Sequence, residues 1–241
     1  MIPGLVSVII PTHKGAEKQT ERLVESIKQS TYKGIEIIVI NEGKERSIQR
    51  NIGIRRAKGE FIFWPDSDWV VLPGTIEWCV IRMQKYDALY IGEVLKTPGV
   101  FGYIRNWERQ FYTGTAIDVV RFIRASQCPF FDESMSGPED TAWDRHHQVS
   151  KNRGIAQTHY EHHDGIGFIK YFQKKAYYAK SMYEFEKKYP GDKILDWRWR
   201  CFGVFFEKGK WKHVLKRPDL FLCVMFIIFI RGIIYLCARK S

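Results

Sequence analysis

Residues 59–70 read Gly-Glu-Phe-Ile-Phe-Trp-Pro-Asp-Ser-Asp-Trp-Val, and this stretch decides how the chain is interpreted. The apolar run at 61–64 is typical of a buried strand, and Pro65 ends it because proline cannot donate to a central ladder. Asp66 and Asp68 follow at once. Two carboxylates one residue apart at a strand end can face a divalent cation, which takes oxygen ligands and often bridges to phosphates. A solvated acidic turn is the alternative, since eleven aspartates among 241 residues produce about 0.5 such pairs by chance.

Two more apolar runs, at 5–10 and 35–40, precede this strand, and a stretch with helical spacing at 17–29 lies between them. Strand, helix, strand predicts an α/β fold with a right-handed crossover and a mostly parallel sheet. Ligands of such sheets bind at the carboxyl ends of the strands, so Thr12, Glu42 and Asp66 are expected to share one crevice. This convergence favours a functional role for Asp66 and Asp68 over a chance pair.

A helix is predicted at 47–58, with Ser47 as its N-cap and Gly59 as its end. Arg50 lies on this helix, and a solvated basic face explains any single arginine there equally well. The following segments are predicted to be a helix at 75–84, a Gly-rich loop-and-strand region at 87–104, and a strand or short helix at 116–125.

Glu139 and Asp140 precede a helix predicted at 141–153, which Gly154 ends. Acids suit the positive end of a helix dipole, so two acids in a first turn are also an ordinary structural feature. A last strand is predicted at 155–160, and three histidines, His159, His162 and His163, cluster at its end.

The length and the 45% hydrophobic content allow one domain of ordinary size plus an appendage. The five cysteines are scattered and odd in number, which indicates a reducing compartment rather than a disulfide framework or a zinc site. No basic region precedes the first apolar run, so no signal peptide is predicted.

The excess positive charge is confined to the last third of the chain. Residues 170–241 hold 17 lysines and arginines and 6 acids, whereas residues 1–169 hold 21 of each. A basic segment can bind nucleic acid or an anionic membrane surface. Because this one leads into an apolar tail, the membrane is the expected partner and nucleic acid is not.

The tail has two parts. Residues 195–217 mix tryptophan and phenylalanine with basic residues, a composition that suits the headgroup region of a membrane. Residues 220–238 are interrupted by one charge, Arg231, and are long enough to span a hydrocarbon core of about 30 Å. A span with Arg231 against lipid phosphate or protein, a helix dipping in from one face, and the core helix of a soluble protein all remain open.

As a set, the motifs resemble the inverting, nucleotide-sugar-dependent glycosyltransferases of family 2, which have the GT-A fold. The resemblance covers roughly residues 5–180 and is closest in detail to small archaeal membrane mannosyltransferases of dolichol-linked glycan assembly, with a minimal cellulose-synthase-like layout. The motifs that carry it, in the family's order, are Ser7-Val-Ile-Ile-Pro-Thr12, Arg50-Asn-Ile-Gly-Ile with Ala57-Lys-Gly-Glu60, Asp66-Ser-Asp68, Phe131-Asp-Glu133 and Glu139-Asp140.

The resemblance implies roles for individual residues. Asp140 would be the base that deprotonates the acceptor hydroxyl, with Glu139 beside it, and Asp68 would bind Mn²⁺ or Mg²⁺ at the diphosphate. The implied nucleotide-sugar-binding residues are Pro11, Thr12, Glu42, Arg50, Asp66 and Lys174, and the implied metal ligands are Asp66, Asp68 and His163.

Some positions depart from the family pattern. The resemblance favours GDP-mannose as the donor, but Asn41-Glu42 replaces the usual Asp-Asp, which leaves a UDP-sugar open. Val70 stands where some relatives have a third metal ligand, which His163 is expected to supply, although surface or packing histidines are an equal alternative. The segment around Lys174 lacks the Arg and Trp of processive relatives, so polymer synthesis is not expected. Lys174 could hold the leaving diphosphate or belong to a solvated face.

The sequence therefore predicts a metal-dependent, membrane-anchored hexosyltransferase on the cytoplasmic side of the cell membrane. It would transfer a sugar, with mannose favoured, to a hydroxyl of a polyisoprenoid-linked glycan in N-glycan or related synthesis. A polyprenyl-phosphate sugar synthase and an inactive nucleotide-sugar-binding module are the alternatives. The predicted layout is a GT-A catalytic domain at 1–169, interface helices at 170–218, and a transmembrane or membrane-inserted helix at 219–241.

Overall fold

A computed structural model describes residues 1–135 and 137–238. Within them, seven strands form one sheet. They are β1 (Ile2–Pro11), β2 (Ile35–Ile40), β3 (Gly59–Phe63), β4 (Trp69–Val71), β5 (Ala88–Leu95), β6 (Phe122–Arg124) and β7 (Arg153–His162), and they lie in the order β2-β1-β3-β6-β5-β7-β4.

Helices cover the sheet and form the C-terminal region. They are α1 (Glu17–Lys28), α2 (Arg46–Arg56), α3 (Thr75–Arg82), α4 (Gly99–Arg109), α5 (Glu139–Asp144), α6 (Phe168–Lys188), α7 (Val204–Phe206), α8 (Trp211–Lys216) and α9 (Pro218–Ala238). A π-helical segment, Trp199–Gly203, precedes α7.

The α/β fold class is confirmed, but the sheet is mixed rather than mostly parallel. β1 runs parallel to β2 and β3, as the strand-helix-strand pattern predicts, and β5 runs parallel to β7. β6 enters between β3 and β5 in the opposite direction, and β4 is antiparallel to β7. The two parallel units are thus joined through an antiparallel strand.

The two faces of the sheet have different cores. Side chains of β1 and β3 such as Val8 and Phe63 pack with Leu23 of α1 and Ile76 of α3 on one face. On the other face Trp64 packs edge-on against Trp143, within a cluster that reaches α5. This second cluster supports the loops that follow β3 and precede α5.

The predicted boundaries of α2 are wrong at both ends. Ser47 is not the N-cap: it lies inside the helix, and its hydroxyl donates to the carbonyl of Met135 at 3.3 Å. Gly59 does not end the helix, because the chain becomes extended at Ala57 and Gly59 belongs to β3. A Cβ at Gly59 would lie 2.5 Å from the carbonyl oxygen of Leu5, so the close approach of β1 requires a glycine there.

The helix predicted at 141–153 is also wrong. α5 ends at Asp144, and Gly154 lies in β7. The buried carboxylate of Asp144 accepts hydrogen bonds from Arg145 at 2.8 Å and from Arg153 at 2.7 Å, which folds the chain back after one and a half turns. In the region predicted as loop and strand at 87–104, β5 is present but α4 was missed.

α9 packs against α4, α6 and α8 through one face. Its Arg231 forms a two-pronged ion pair with the buried Glu108 of α4, at 2.6 and 2.8 Å, so this charge lies against protein. α9 is the one helix in the described part of the chain that is long and apolar enough to cross a membrane. The mean hydropathy of its most apolar 18 residues is 2.6, and only 17% of those residues are buried against the rest of the protein. Its outward face carries an exposed stripe of Leu222, Phe226, Phe229, Ile233 and Leu236.

Candidate functional site

A cavity of about 620 Å³ lies at the carboxyl ends of β1 and β3. α5 contributes a further part of its wall. The predicted site residues that line this cavity are Pro11, Thr12, Asp66, Asp68, Glu139, Asp140 and Lys174. Strand ends that are distant in sequence thus meet at one place.

Asp66 is held by arginines. Its Oδ1 accepts a hydrogen bond from the guanidinium of Arg50 at 2.8 Å, and Arg50 is buried over the ring of Trp64 at 4.7 Å. Burial alone would raise the pKa of Asp66, but the positive charges of Arg50 and Arg121 lower it well below its ordinary value. Asp66 is therefore a fixed anion that already has a partner in the protein.

Asp68 has a different environment. Its Oδ2 lies 3.0 Å from Nε2 of His162, whose Nδ1 lies 2.5 Å from Oε1 of Glu93. Burial would lower the pKa of His162, but the two carboxylates raise it to about 9, so the protonated ring donates to both. Oδ1 of Asp68 is buried and has no hydrogen-bond partner among the described residues.

The two acids of α5 have different surroundings. Glu139 is buried and lies 3.5 Å from both Arg46 and Arg50, and its burial, together with the charge of Asp140, raises its pKa. The side chain of Asp140 is 29% exposed, and its Oδ2 accepts a hydrogen bond from Arg121 at 3.3 Å. Asp140 is thus the acid of this pair that a substrate can reach.

The groups at Asp68 suit a divalent cation. One oxygen of Asp68 is unpaired, and Glu93 fixes the far nitrogen of His162, as carboxylates commonly do behind metal-binding histidines. Within residues 1–135 and 137–238, no three His, Cys, Asp or Glu side chains converge into a ready-made metal cluster. The protein would therefore supply two ligands here, Asp68 and His162, with the cation taking the place of the proton on Nε2 of His162, and substrate or water oxygens would complete the shell.

A family model described as Glycosyl transferase family 2 matches residues 42–179, more than half of the chain. The chain belongs to glycosyltransferase family 2. The match contains α2, the loop with Asp66 and Asp68, and α5, so it includes most of the cavity wall.

Two relatives in this glycosyltransferase family are uncharacterized glycosyltransferases of Rickettsia typhi and Rickettsia prowazekii. Each is 31% identical to this chain over a stretch that covers 34% of the chain and 33% of the relative. The matched part of the chain thus spans about a third of the length of these curated relatives.

Among solved structures, TarS of S. aureus, residues 1-349, is similar. The structure without nucleotide sugar matches with a TM-score of 0.50 and 14% sequence identity, and the match covers 90% of this chain and 80% of the TarS chain. The complex with UDP-GlcNAc matches with a TM-score of 0.51 and 14% identity, and the match covers 98% of this chain and 92% of the TarS chain. At this identity the likeness shows the fold alone, which is the GT-A fold predicted from the motifs. None of these relatives supports the closer resemblance to archaeal mannosyltransferases.

Two predicted site residues of this chain lie elsewhere. Glu42 is exposed, pairs with Arg56 at 2.9 Å, and does not line the cavity. The ring of His163 lies 3.1 Å from Glu161, and it is the backbone N–H of His163 that contacts the carbonyl of Asp68, at 2.9 Å. Arg50 sits beneath the cavity, where it binds Asp66. The roles assigned to these residues stay predictions.

Three contributors to the site were not singled out from the sequence: Arg121, Glu93 and His162. Strand alternation could have selected His162 from the histidine cluster. It points to the same face of β7 as Tyr160, which stacks on Trp69 at 3.4 Å. Arg121 and Glu93 carry no local signal, because each acquires its role from a partner on a distant segment.

Proposed function

We propose that this chain transfers a sugar from a nucleoside diphosphate sugar to a hydroxyl group of a lipid-linked acceptor, with inversion at the anomeric carbon. The observation that carries the proposal is that one cavity contains both a carboxylate with an unpaired oxygen, Asp68, and an accessible carboxylate at a helix start, Asp140. The first suits a donor diphosphate with its cation, and the second suits a nucleophile.

Asp68 and His162 would hold the cation, Mn²⁺ or Mg²⁺. When bound, such an ion neutralises the negative charge that develops on a leaving diphosphate. Arg46 and Lys174 also line the cavity and add positive charge near that position. Asp66, fixed by Arg50, would orient the donor rather than bind the cation.

Asp140 would act as the base. A sugar hydroxyl must lose its proton as its oxygen bonds to the anomeric carbon, and a positioned carboxylate accepts that proton. The nucleoside diphosphate leaves from the opposite face, which inverts the carbon. Arg121 keeps Asp140 in place, and Glu139 is too buried to play this part.

The donor nucleobase has two candidates. The resemblance favours GDP-mannose, and a carboxylate at Glu42 could accept from the N–H donors of a guanine edge, but Glu42 is exposed, lies outside the cavity lining and pairs with Arg56. TarS, which shares the fold, was solved with UDP-GlcNAc. We therefore place a UDP-sugar first, with GDP-mannose second.

The test is transfer in detergent from UDP- and GDP-sugars to a lipid-linked sugar and, separately, to a bare polyprenyl phosphate. Asp140→Asn should lower transfer to the hydroxyl acceptor by at least about a hundredfold while donor binding is unchanged. Asp132→Asn, which alters a comparably exposed carboxylate outside the cavity, is the matched control.

Transfer to bare polyprenyl phosphate at a rate that Asp140→Asn does not change would instead support a polyprenyl-phosphate sugar synthase, because a phosphate is already ionised and needs no base. Nucleotide-sugar binding without transfer to either acceptor would support an inactive nucleotide-sugar-binding module.

A further inference from the structure

A second cavity, of about 510 Å³, lies between α6, α9 and the segment that joins them. It meets the first cavity at the proposed base. The residues that line both cavities are Arg46, Tyr112, Ile117, Glu139, Asp140, Thr141 and Tyr178. A molecule in the second cavity can therefore reach Asp140 without passing through the space assigned to the nucleotide sugar.

The walls of the second cavity are largely apolar. α6 contributes Met182, α9 contributes Ile228 and Ile234, and the connecting segment contributes Leu195 and Trp197. α9 is also the helix whose opposite face bears the exposed apolar stripe. The cavity thus lies behind the part of the chain best suited to contact a hydrocarbon phase.

Three cations interrupt this apolar lining: Lys175, Arg200 and Arg231. Glu108 neutralises Arg231, whose Nε remains buried without a hydrogen-bond partner. Arg200 contacts the carbonyl of Ile194 at 3.4 Å. Away from the part shared with the first cavity, neither Lys175 nor Arg200 has a carboxylate within ion-pair distance in the described part of the chain, so no carboxylate balances the positive charge at this end of the cavity.

Lys175 lines the cavity, and its side chain is exposed there. Desolvation by the protein around the cavity and the charges of Arg231, Arg109 and Arg200 lower the pKa of Lys175 to about 7. A cation kept close to other cations in an otherwise apolar space is stabilised by an anion. A phosphate group joined to a hydrocarbon chain matches both the charges and the walls.

We propose that the second cavity binds the phosphate end of a single-chain lipid phosphate, with the phosphate on Lys175 and Arg200 beside Arg231 and the first hydrocarbon units against α9. This inference rests on the proposed function, because it assigns the lipid part of the acceptor to a place in the molecule. The glycosyl part of that acceptor would extend toward Asp140.

The test uses the full chain in a maltoside detergent, which carries no phosphate. Binding of farnesyl phosphate is followed by calorimetry, with farnesol and inorganic phosphate as separate probes. The test variant is Lys175→Gln/Arg200→Gln, and the matched control is Lys212→Gln/Lys216→Gln, which removes two exposed charges from α8. Arg231 is left intact because its loss would leave the buried carboxylate of Glu108 without its counter-charge.

Farnesyl phosphate should bind wild type and the control alike and bind the test variant at least tenfold more weakly, which corresponds to about 1.4 kcal/mol. Farnesol should bind weakly and equally to all three proteins. The inference is overturned if the test variant binds farnesyl phosphate as well as wild type does, or if farnesol binds as tightly. Inorganic phosphate binding as tightly would reduce the cavity to an anion site without lipid preference.

The same samples are titrated with UDP in the presence of Mn²⁺. UDP binding should be the same in all three proteins, because the altered residues do not line the first cavity. If wild type binds neither UDP nor, in a parallel titration, GDP, while farnesyl phosphate binds as described, the proposed function is contradicted and the lipid-phosphate site is not. The reverse pattern would contradict the lipid-phosphate site alone.

Discussion

The buried Oδ1 of Asp68 costs the protein free energy of folding, and nothing in the described part of the fold compensates for that cost. A buried carboxylate oxygen without a hydrogen-bond partner loses its hydration and receives nothing in return. Asp66 lies two residues earlier, and its Oδ1 accepts a hydrogen bond from Arg50. Asp66 thus has a hydrogen-bond partner for its Oδ1 within the protein, whereas Oδ1 of Asp68 has none in the described residues. The unpaired oxygen of Asp68 marks the place where a ligand would bind.

Replacing Asp68 by Ala should abolish the dependence of nucleotide binding on Mn²⁺ and lower transfer to background. The fold should survive, because Asp68 lies in a loop beyond β3 rather than in the core. Thermal shifts with UDP or GDP, with and without Mn²⁺, measure this dependence, since a ligand that binds the folded protein more tightly raises the midpoint further. Ser67→Ala is the control from the same loop. If nucleotide binding by the Asp68→Ala protein still depended on Mn²⁺, the cation would not bind at Asp68.

At this scale the sequence predicted the acids of the site better than the cations. Asp66 and Asp68 stand out because the pattern of apolar residues shows the end of a strand, and the family resemblance singles out Asp140 at a helix start. Arg121 could not be selected, since nothing near it in sequence reveals that it contacts Asp140. His162 was one of three candidates, and only the alternation along β7 separates it from His163.

At the scale of elements, the position of Asp140 depends on how α5 ends. Asp144 is fully buried and accepts hydrogen bonds from Arg145, from Arg153 and from the backbone N–H of Val120 at 3.0 Å. These bonds tie the helix to the start of β7 and to the segment before β6. The helical spacing at 141–153 could not show this, because the interactions that break the helix come from outside it.

Asp144→Asn should destabilise the protein by about 3 kcal/mol or more, since it leaves Arg153 without its buried counter-charge and leaves Arg145 with Asp192 alone. For a chain of this length, that corresponds to a fall in Tm of roughly 6–12 °C. Transfer should fall as well, because Asp140 is on the same short helix. Glu184→Gln, which breaks only an exposed pair with Lys187, is the control and should change stability by less than about 0.5 kcal/mol. Equal melting of the two variants would show that Asp144 does not hold α5.

At the scale of the whole molecule, charge and apolar surface are combined on the C-terminal third. All of the net charge of +11 lies in residues 170–241. α9 buries Leu220, Val224 and Ile227 against the domain and leaves a stripe of five large apolar side chains outside. Deleting α9 would therefore expose core and leave Glu108 unpaired, so point changes on its outer face test membrane attachment more cleanly than a truncation does.

Phe226→Gln/Phe229→Gln should convert a tightly bound protein into one that salt can release. Both side chains are more than half exposed in this structure, and burying them in lipid contributes roughly 3–6 kcal/mol. Flotation with anionic vesicles is measured at low salt and at about 1 M salt, where the Debye length is about 3 Å and surface attraction is screened. Wild type should float at both, because its apolar stripe is not screened. The double variant should float only at low salt, held by the basic residues alone.

The control is Trp78→Gln/Ile81→Gln, which removes a comparable exposed pair from α3 and should behave as wild type does. Release of wild type by salt alone, or the same release from both double variants, would mean that α9 does not enter the membrane.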